Sequence, residues 1–170
     1  MTSATLSRRS LFGLAPLRAE DTEPAVDLGG RLAPVAEAMV ELAGVREGQT
    51  VLAVAAGNRA LAKAAAGRRA SVATAEGVWF SWPDSAFDAV LAFFSVTSHR
   101  DPRAVAGELK RVARPRAPIV LVSWSGQAWA RYETAYRHFF GFPELDVTDH
   151  ELEESGMGYS LVFARKPGAS

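Results

Sequence analysis

The residues of this sequence that could do chemistry gather just after its apolar runs. His99 follows the run Phe87-Asp88-Ala89-Val90-Leu91-Ala92-Phe93-Phe94 by five positions. An imidazole titrates near neutral pH and can take a proton from a hydroxyl or amine nucleophile. The alternative is a surface histidine ahead of Arg100-Asp101-Pro102. Gly57 and Asn58 follow the run Thr50 to Ala56, where a glycine either lets the backbone approach a ligand or simply turns strand into helix. Glu76 closes a third apolar stretch, and Trp79, Phe80 and Trp82 come directly after it. Tyr132 and Tyr136, four apart, share a helical face near His138. The chain has no cysteine, which excludes disulfides, cysteine nucleophiles and thiolate metal centres. Its three histidines, His99, His138 and His150, are scattered, so no dedicated metal site is expected.

These residues need a frame, and the composition supports one globular domain. Of the 170 residues, 48% are apolar and 22% charged, the balance of a chain that buries a core. The 19 basic and 19 acidic residues cancel, so no global field draws the protein to nucleic acid or to an anionic membrane. Residues 1–30 differ in texture and read as a flexible arm preceding a domain over 31–170. In that arm Ser7-Arg8-Arg9-Ser10-Leu11-Phe12 resembles the start of a twin-arginine export signal. The apolar stretch from Leu11 to Leu17 contains Gly13 and Pro16, and Leu17-Arg18-Ala19-Glu20-Asp21 makes a poor cleavage site. No run reaches the roughly 18 apolar residues of a membrane span, and the expected location is cytoplasmic.

Periodicity supplies the elements. Leu32, Val35, Ala36, Met39, Val40 and Ala43 fall on one helical face, with Gly44 as a stop. Thr50 to Ala56 is apolar without alternation, as expected of a strand covered on both faces. Ala60 to Ala66 reads as a helix ending at Gly67, and Ala70–Ala75 as a strand. Phe87 to Phe94 is a buried strand. Asp101-Pro102 opens a helix with Val105, Leu109 and Val112 inside and Pro115 at its end. Ile119–Val122 and Tyr159–Ala164 read as strands, and Ala128–Phe140 as a helix. Strands alternating with helices predict a Rossmann-like, doubly wound, mostly parallel α/β sheet.

The order of these pieces resembles the class I S-adenosylmethionine-dependent methyltransferases from about Leu32 to Lys166. The first helix and Gly48-Gln49-Thr50 through Gly57 look like that family's opening helix and first strand. Pro83-Asp84-Ser85-Ala86-Phe87-Asp88-Ala89-Val90 is similar to its lead-in to the fourth strand, and Glu108-Leu109-Lys110-Arg111-Val112-Ala113-Arg114-Pro115 to its following helix end. The resemblance implies S-adenosylmethionine as cofactor and a small-molecule methyl acceptor. It implies cofactor-binding positions at Ala55, Gly57, Asn58, Glu76 and Phe94, with His99 as the candidate catalytic base. It also gives Trp79, Phe80 and Trp82 a role in stacking on adenine or facing a sulfonium; their alternative role is to cover core.

Three departures from the family pattern stand out. Ala53 holds the position of the acid that closes the family's first strand, and Arg59 that of the last glycine of the turn. Both changes make the surroundings of an ammonium and a sulfonium more positive. From Val51 to Glu76 is 26 residues, room for one crossover of roughly 30 residues but not two. The chain therefore lacks about one strand and one helix of the methyltransferase-type sheet. Two alignments stay open. Ala75-Glu76 resembles the end of the family's third strand, with Thr74 at the position of an acid near the adenine; or Ala70–Ala75 is the second strand and Glu76 is itself the ribose acid. These departures also admit a second function class: a catalytically inactive relative, a pseudoenzyme that serves as a binding or assembly partner, pairing its sheet edge with another protein or with a second copy in a homodimer.

Overall fold

The apolar runs become strands because each is covered on both faces. A computed structural model describes residues 32–55, 59–75, 81–94, 101–124, 134, 137–138, 145–152 and 157–168. Among them the elements run α1 (Ala33–Leu42), β1 (Thr50–Ala55), α2 (Ala60–Gly67), β2 (Ser71–Ala75), β3 (Ala89–Phe93), α3 (Pro102–Val112), β4 (Pro118–Trp124), β5 (Leu145–Leu152) and β6 (Met157–Arg165). The six strands form one sheet in the order β2-β1-β3-β4-β6-β5. The β1–β2, β1–β3 and β3–β4 pairs are parallel, and β6 is antiparallel to both β4 and β5.

Alternation along the central strands divides the core in two. Val51 and Ala53 of β1 pack with Val35, Met39 and Val40 of α1 and Leu61 and Ala65 of α2. Leu52 and Val54 point the other way, toward Val105, Leu109 and Val112 of α3. All five residues of β3 are buried, as a strand between two parallel neighbours and two helical layers requires. The predicted helix ends hold for local reasons. Gly44 sits at φ +63 after α1, and the Gly44 and Val45 N–H groups donate to the Glu41 and Val40 carbonyls, which closes the last turn. At the start of α3 the Asp101 carboxylate accepts from the Arg103 and Ala104 N–H groups at 3.0 and 3.1 Å, and Pro102 takes the first helical position.

Two stretches behind the family resemblance turn out to be one latch at the amino end of the sheet. The Asp88 N–H donates to the Thr50 carbonyl and its carboxylate accepts from the Thr50 N–H, each at 2.8 Å. That carboxylate also accepts from Arg114. Arg111 donates to Glu108 through Nε and Nη2, at 2.7 and 3.1 Å, and through Nη1 to the Trp82 carbonyl at 2.8 Å and to Asp84 at 2.9 Å. The Glu108 hydrogen bond, offset in part by burial, raises the guanidinium pKa above its ordinary value. Trp82 packs edge-on against Phe87, ring centroids 5.3 Å apart, and joins the core beside α3. Its core-covering role is therefore the one the structure shows, at the end of the sheet away from the strand tips where ligands bind.

Between β1 and β3 the described residues hold a single helix and a single strand, in keeping with the short spacing. β2 pairs with β1 on the side away from β3. In a doubly wound sheet of order 3-2-1-4-5-6 that is the place of the second strand, so the topology follows the alignment that makes Ala70–Ala75 the second strand. The position outside it, where a third strand would pair, is unfilled among the described residues. β5 was not expected from the sequence and extends the opposite edge. Among the described residues no helix is long and apolar enough to cross a membrane.

Arg111→Ala removes four charge-assisted hydrogen bonds from a side chain that is 30% exposed. The expected loss of unfolding free energy is about 2–3 kcal/mol, read as a lower denaturant midpoint with an unchanged slope.

Candidate functional site

Open α/β sheets bind ligands beyond the carboxyl ends of their strands, at the point where the strand order reverses. Here that point lies between β1 and β3, whose tips Ala55 and Phe93 are paired in register. β2 ends beside them, Ala75 opposite Val54. Ala75 is buried and small, so the β2 tip presents little side-chain bulk. Gly57, Asn58, Glu76 and His99, and with them Trp79, Phe80, Tyr132 and Tyr136, lie outside the described residues. Ala55 is placed by its backbone at the end of β1.

Phe94 is the predicted site residue that the structure describes most fully. It directly follows β3 and adopts φ +54, a left-handed conformation that costs a bulky L-residue energy. Its N–H donates to the Val122 carbonyl of β4 at 3.0 Å, and its ring lies 4.9 Å from that of Phe93 at 56°. Simple alternation would send consecutive residues to opposite faces. The left-handed step instead brings both rings to the α1–α2 face. A half-buried aromatic wall thus stands at the tip of the central strand, held there by a neighbouring strand. No sequence signal for a left-handed residue exists in Phe93-Phe94-Ser95.

The two substituted positions behave differently from one another. Arg59 is the residue before α2 and has φ −88, ordinary right-handed backbone, so an arginine at the former glycine position carries no conformational strain. Its side chain is exposed, and α2 begins at once after it, which places the positive end of a helix and a guanidinium together at the crevice. Ala53 is 1% exposed and packs in the α1–α2 core, opposite Thr74 of β2 in register. Thr74 itself is exposed. A carboxylate at position 53 would have to be desolvated, and the methyl group of alanine fills that space without one. His138 is helical and exposed. Among the described residues no group of three His, Asp or Glu side chains could hold a metal ion.

Tested against S-adenosylmethionine, the described strand tips fit in shape: small residues at the ends of β1 and β2 leave space, and Phe94 supplies an aromatic wall of the kind that stacks on an adenine ring or faces a sulfonium. The described tips of β1, β2 and β3 offer no acid for its ammonium group, and Glu76, next after β2 in sequence, is the carboxylate nearest to hand in the chain.

Comparison with known proteins agrees with this geometry. A family model described as a methyltransferase domain matches residues 27–121. A S-adenosylmethionine-dependent methyltransferase from Aquifex aeolicus superposes with a TM-score of 0.57 at 21% identity, covering 82% of this chain and 94% of that one. A putative methyltransferase from Haloferax volcanii, in complex with the Trm112 methyltransferase activator, gives 0.58 at 14% identity over 83% and 91%. The [4+2]-cyclase SpnF gives 0.57 at 16% identity over 81% of each chain. Comparison with curated proteins returned no match. These similarities establish the fold of the neighbours as the fold of this chain.

Ala53→Asp should destabilise the protein by about 2–4 kcal/mol at pH 7, because an unpaired carboxylate enters the core. Burial raises that carboxyl's pKa in the folded state, so the deficit relative to the parent should shrink as pH falls through the folded value. Denaturant titrations of both proteins at pH 7 and pH 5 check the sign.

Proposed function

The chain belongs to the methyltransferase domain family, for which S-adenosylmethionine is the cofactor, and from that premise we propose that it transfers the cofactor's methyl group to a small-molecule acceptor in the crevice beyond β1 and β3. The observation that carries the reading is Phe94, a strained aromatic fixed at the tip of the central strand where a ligand wall is needed. Strain of this kind is retained where surrounding structure enforces it, and it concentrates at functional sites.

The bound cofactor supplies an electrophilic methyl on a sulfonium. The residues of this chain do the rest: they bind, align and move a proton. Gly57 and Asn58 give the turn after β1 through which backbone approaches the methionine part. Glu76, following the strand in second position, takes the ribose hydroxyls as acceptor. Phe94 lines the cavity and excludes water. His99, which follows β3 in sequence, accepts the acceptor's proton as general base. Alignment of nucleophile and methyl is the larger part of catalysis in such a displacement.

Two observations favour a second reading, an inactive relative that works as a binding partner. Position 53 is sealed in the core, so the family's acid is replaced rather than displaced. The β2 edge, five residues long, carries no charged side chain, whereas such edges are commonly protected by charge. The Haloferax volcanii neighbour is itself a methyltransferase in complex with an activator protein.

Calorimetric titration with S-adenosylmethionine and S-adenosylhomocysteine decides between them. The enzyme reading expects micromolar binding, about −8 kcal/mol. It expects Glu76→Gln to weaken binding about tenfold, about 1.4 kcal/mol. His99→Ala should leave binding intact and abolish turnover of an acceptor. Absence of heat and of any thermal shift at millimolar ligand assigns the protein to the partner class.

A further inference from the structure

An open groove on the described surface lies away from the crevice, between the second half of α1 and the β5–β6 ladder. It encloses about 510 Å³ and is lined by Ala38, Glu41 and Leu42 of α1, Asp146, Thr148 and His150 of β5, and Leu161 and Phe163 of β6. Its volume falls in the range of ligand-binding clefts. The β5 and β6 walls lie beyond residues 27–121, which the family model matches.

The walls have a definite chemistry. Leu42 is 44% exposed, and it is the one large apolar side chain exposed among the described residues. Glu41 and Asp146 have no ion-pair partner among the described residues. Five other acids are paired: Glu37 faces Arg68, Glu47 faces Arg69, and Asp84, Asp88 and Glu108 face Arg111 or Arg114; Asp101, Asp149 and Glu151, like Glu41 and Asp146, form no ion pair among the described residues. Thr148 Oγ1 and His150 Nε2 are 2.9 Å apart, and the His150 ring stacks on Tyr159. That side of the groove is thus already satisfied and rigid. An occupant must therefore bring positive charge for two carboxylates and an apolar group for Leu42, Leu161 and Phe163.

The arm ahead of α1 has that composition. Arg8-Arg9-Ser10-Leu11-Phe12 places two guanidinium groups beside two large apolar side chains. The 19 residues from 13 to 31 join Phe12 to Leu32 and span up to roughly 60 Å when extended. Helix α1, which forms the groove wall, is about 15 Å long, so the tether reaches the groove easily. Its effective concentration at the groove is set by that short link. Guanidinium groups pair with carboxylates in a forked geometry that ammonium groups lack, and a sequence segment carrying two of them matches the charge of this surface.

We propose that Arg8-Arg9-Ser10-Leu11-Phe12 docks in its own chain's groove between α1 and β5–β6. In this arrangement Arg8 and Arg9 face Glu41 and Asp146, and Leu11 and Phe12 cover Leu42, Leu161 and Phe163. The proposal is independent of whether the crevice binds S-adenosylmethionine.

The cysteine-free chain allows a clean test. A nitroxide is attached to the full-length protein at Ser10→Cys, and amide signals are recorded with nitrogen-15 labelling. The expected result is selective broadening of Glu41, Leu42, Asp146 and Thr148, reduced to the level of the remaining surface by Glu41→Gln with Asp146→Asn and equally by Arg8→Gln with Arg9→Gln. Unshifted signals elsewhere show that the variants stay folded. Uniform broadening, or selective broadening insensitive to both charge variants, overturns the proposal. So does broadening that persists when spin-labelled and nitrogen-15-labelled molecules are separate and mixed, which would mean contact between copies.

Discussion

The crevice of this protein depends on a carboxylate at the other end of the sheet. Asp88 holds both backbone groups of Thr50, one through its own N–H and one through its side chain. This fixes the first rung between β1 and β3 one position before Val51 meets Ala89. A parallel pair has no tight turn to set its register, and a slip of one residue would exchange the two faces of the strand. With the rung pinned, Ala55 and Phe93 arrive together at the far end, and the left-handed step at Phe94 falls where the crevice opens. Arg114 and Arg111 extend the same latch to α3, so the strand, its lead-in and its following helix are joined at one place.

The missing strand–helix pair redistributes the burden of the sheet edges. At one side β5 presents Asp146, Thr148, Asp149, His150 and Glu151, all exposed, and a charged edge resists pairing with other chains. At the other, β2 is short and uncharged, with Val72 and Ala73 only partly buried. Shortness limits what an intruding strand gains in hydrogen bonds, and among the described residues no strand pairs with its outer row. The shortened sheet thus keeps its parallel centre of β1, β3 and β4 while its periphery differs on each side.

Legibility in the sequence tracks how local the cause is. The three helices and the central strands follow from spacing and caps: Val35, Ala36, Met39 and Val40 on one face, Gly44 after it, Asp101-Pro102 before α3. The mostly parallel sheet and the single crossover before β3 follow from run lengths. β5 was missed because Asp146-Val147-Thr148-Asp149-His150 has the composition of a loop. It is a strand because the long apolar β6 offers it a full ladder, a cause 13 residues away at Thr148 and Leu161. The turn at Phe94 was missed for the same reason, since a carbonyl on β4 holds it. Trp82 reads from sequence more readily as core cover than as ligand wall, and Phe87 and Arg111 claim its ring and its carbonyl. At the crevice, Ala55 ends β1 opposite Phe93 and Phe94 directly follows β3, while Gly57, Asn58, Glu76 and His99 lie outside the described residues, in sequence segments without periodicity.

The two kinds of family residue in this chain therefore carry different information. Pro83 to Asp88 and Glu108 to Arg114 look familial because they build the latch, and the latch is needed by any protein with this sheet, whatever it binds. Residues at the strand tips answer to the ligand alone. There Ala53 and Arg59 depart from the pattern at small structural cost: the first fills a sealed site, and the second sits in relaxed helical backbone. Substitutions that cost the fold nothing are tolerated unless a ligand selects against them. The strain retained at Phe94 points the other way, since a glycine there would satisfy the same backbone without penalty. The ring is kept there with a packing return, its contact with Phe93 on the α1–α2 face, so the tip's conformation joins core and crevice in one residue.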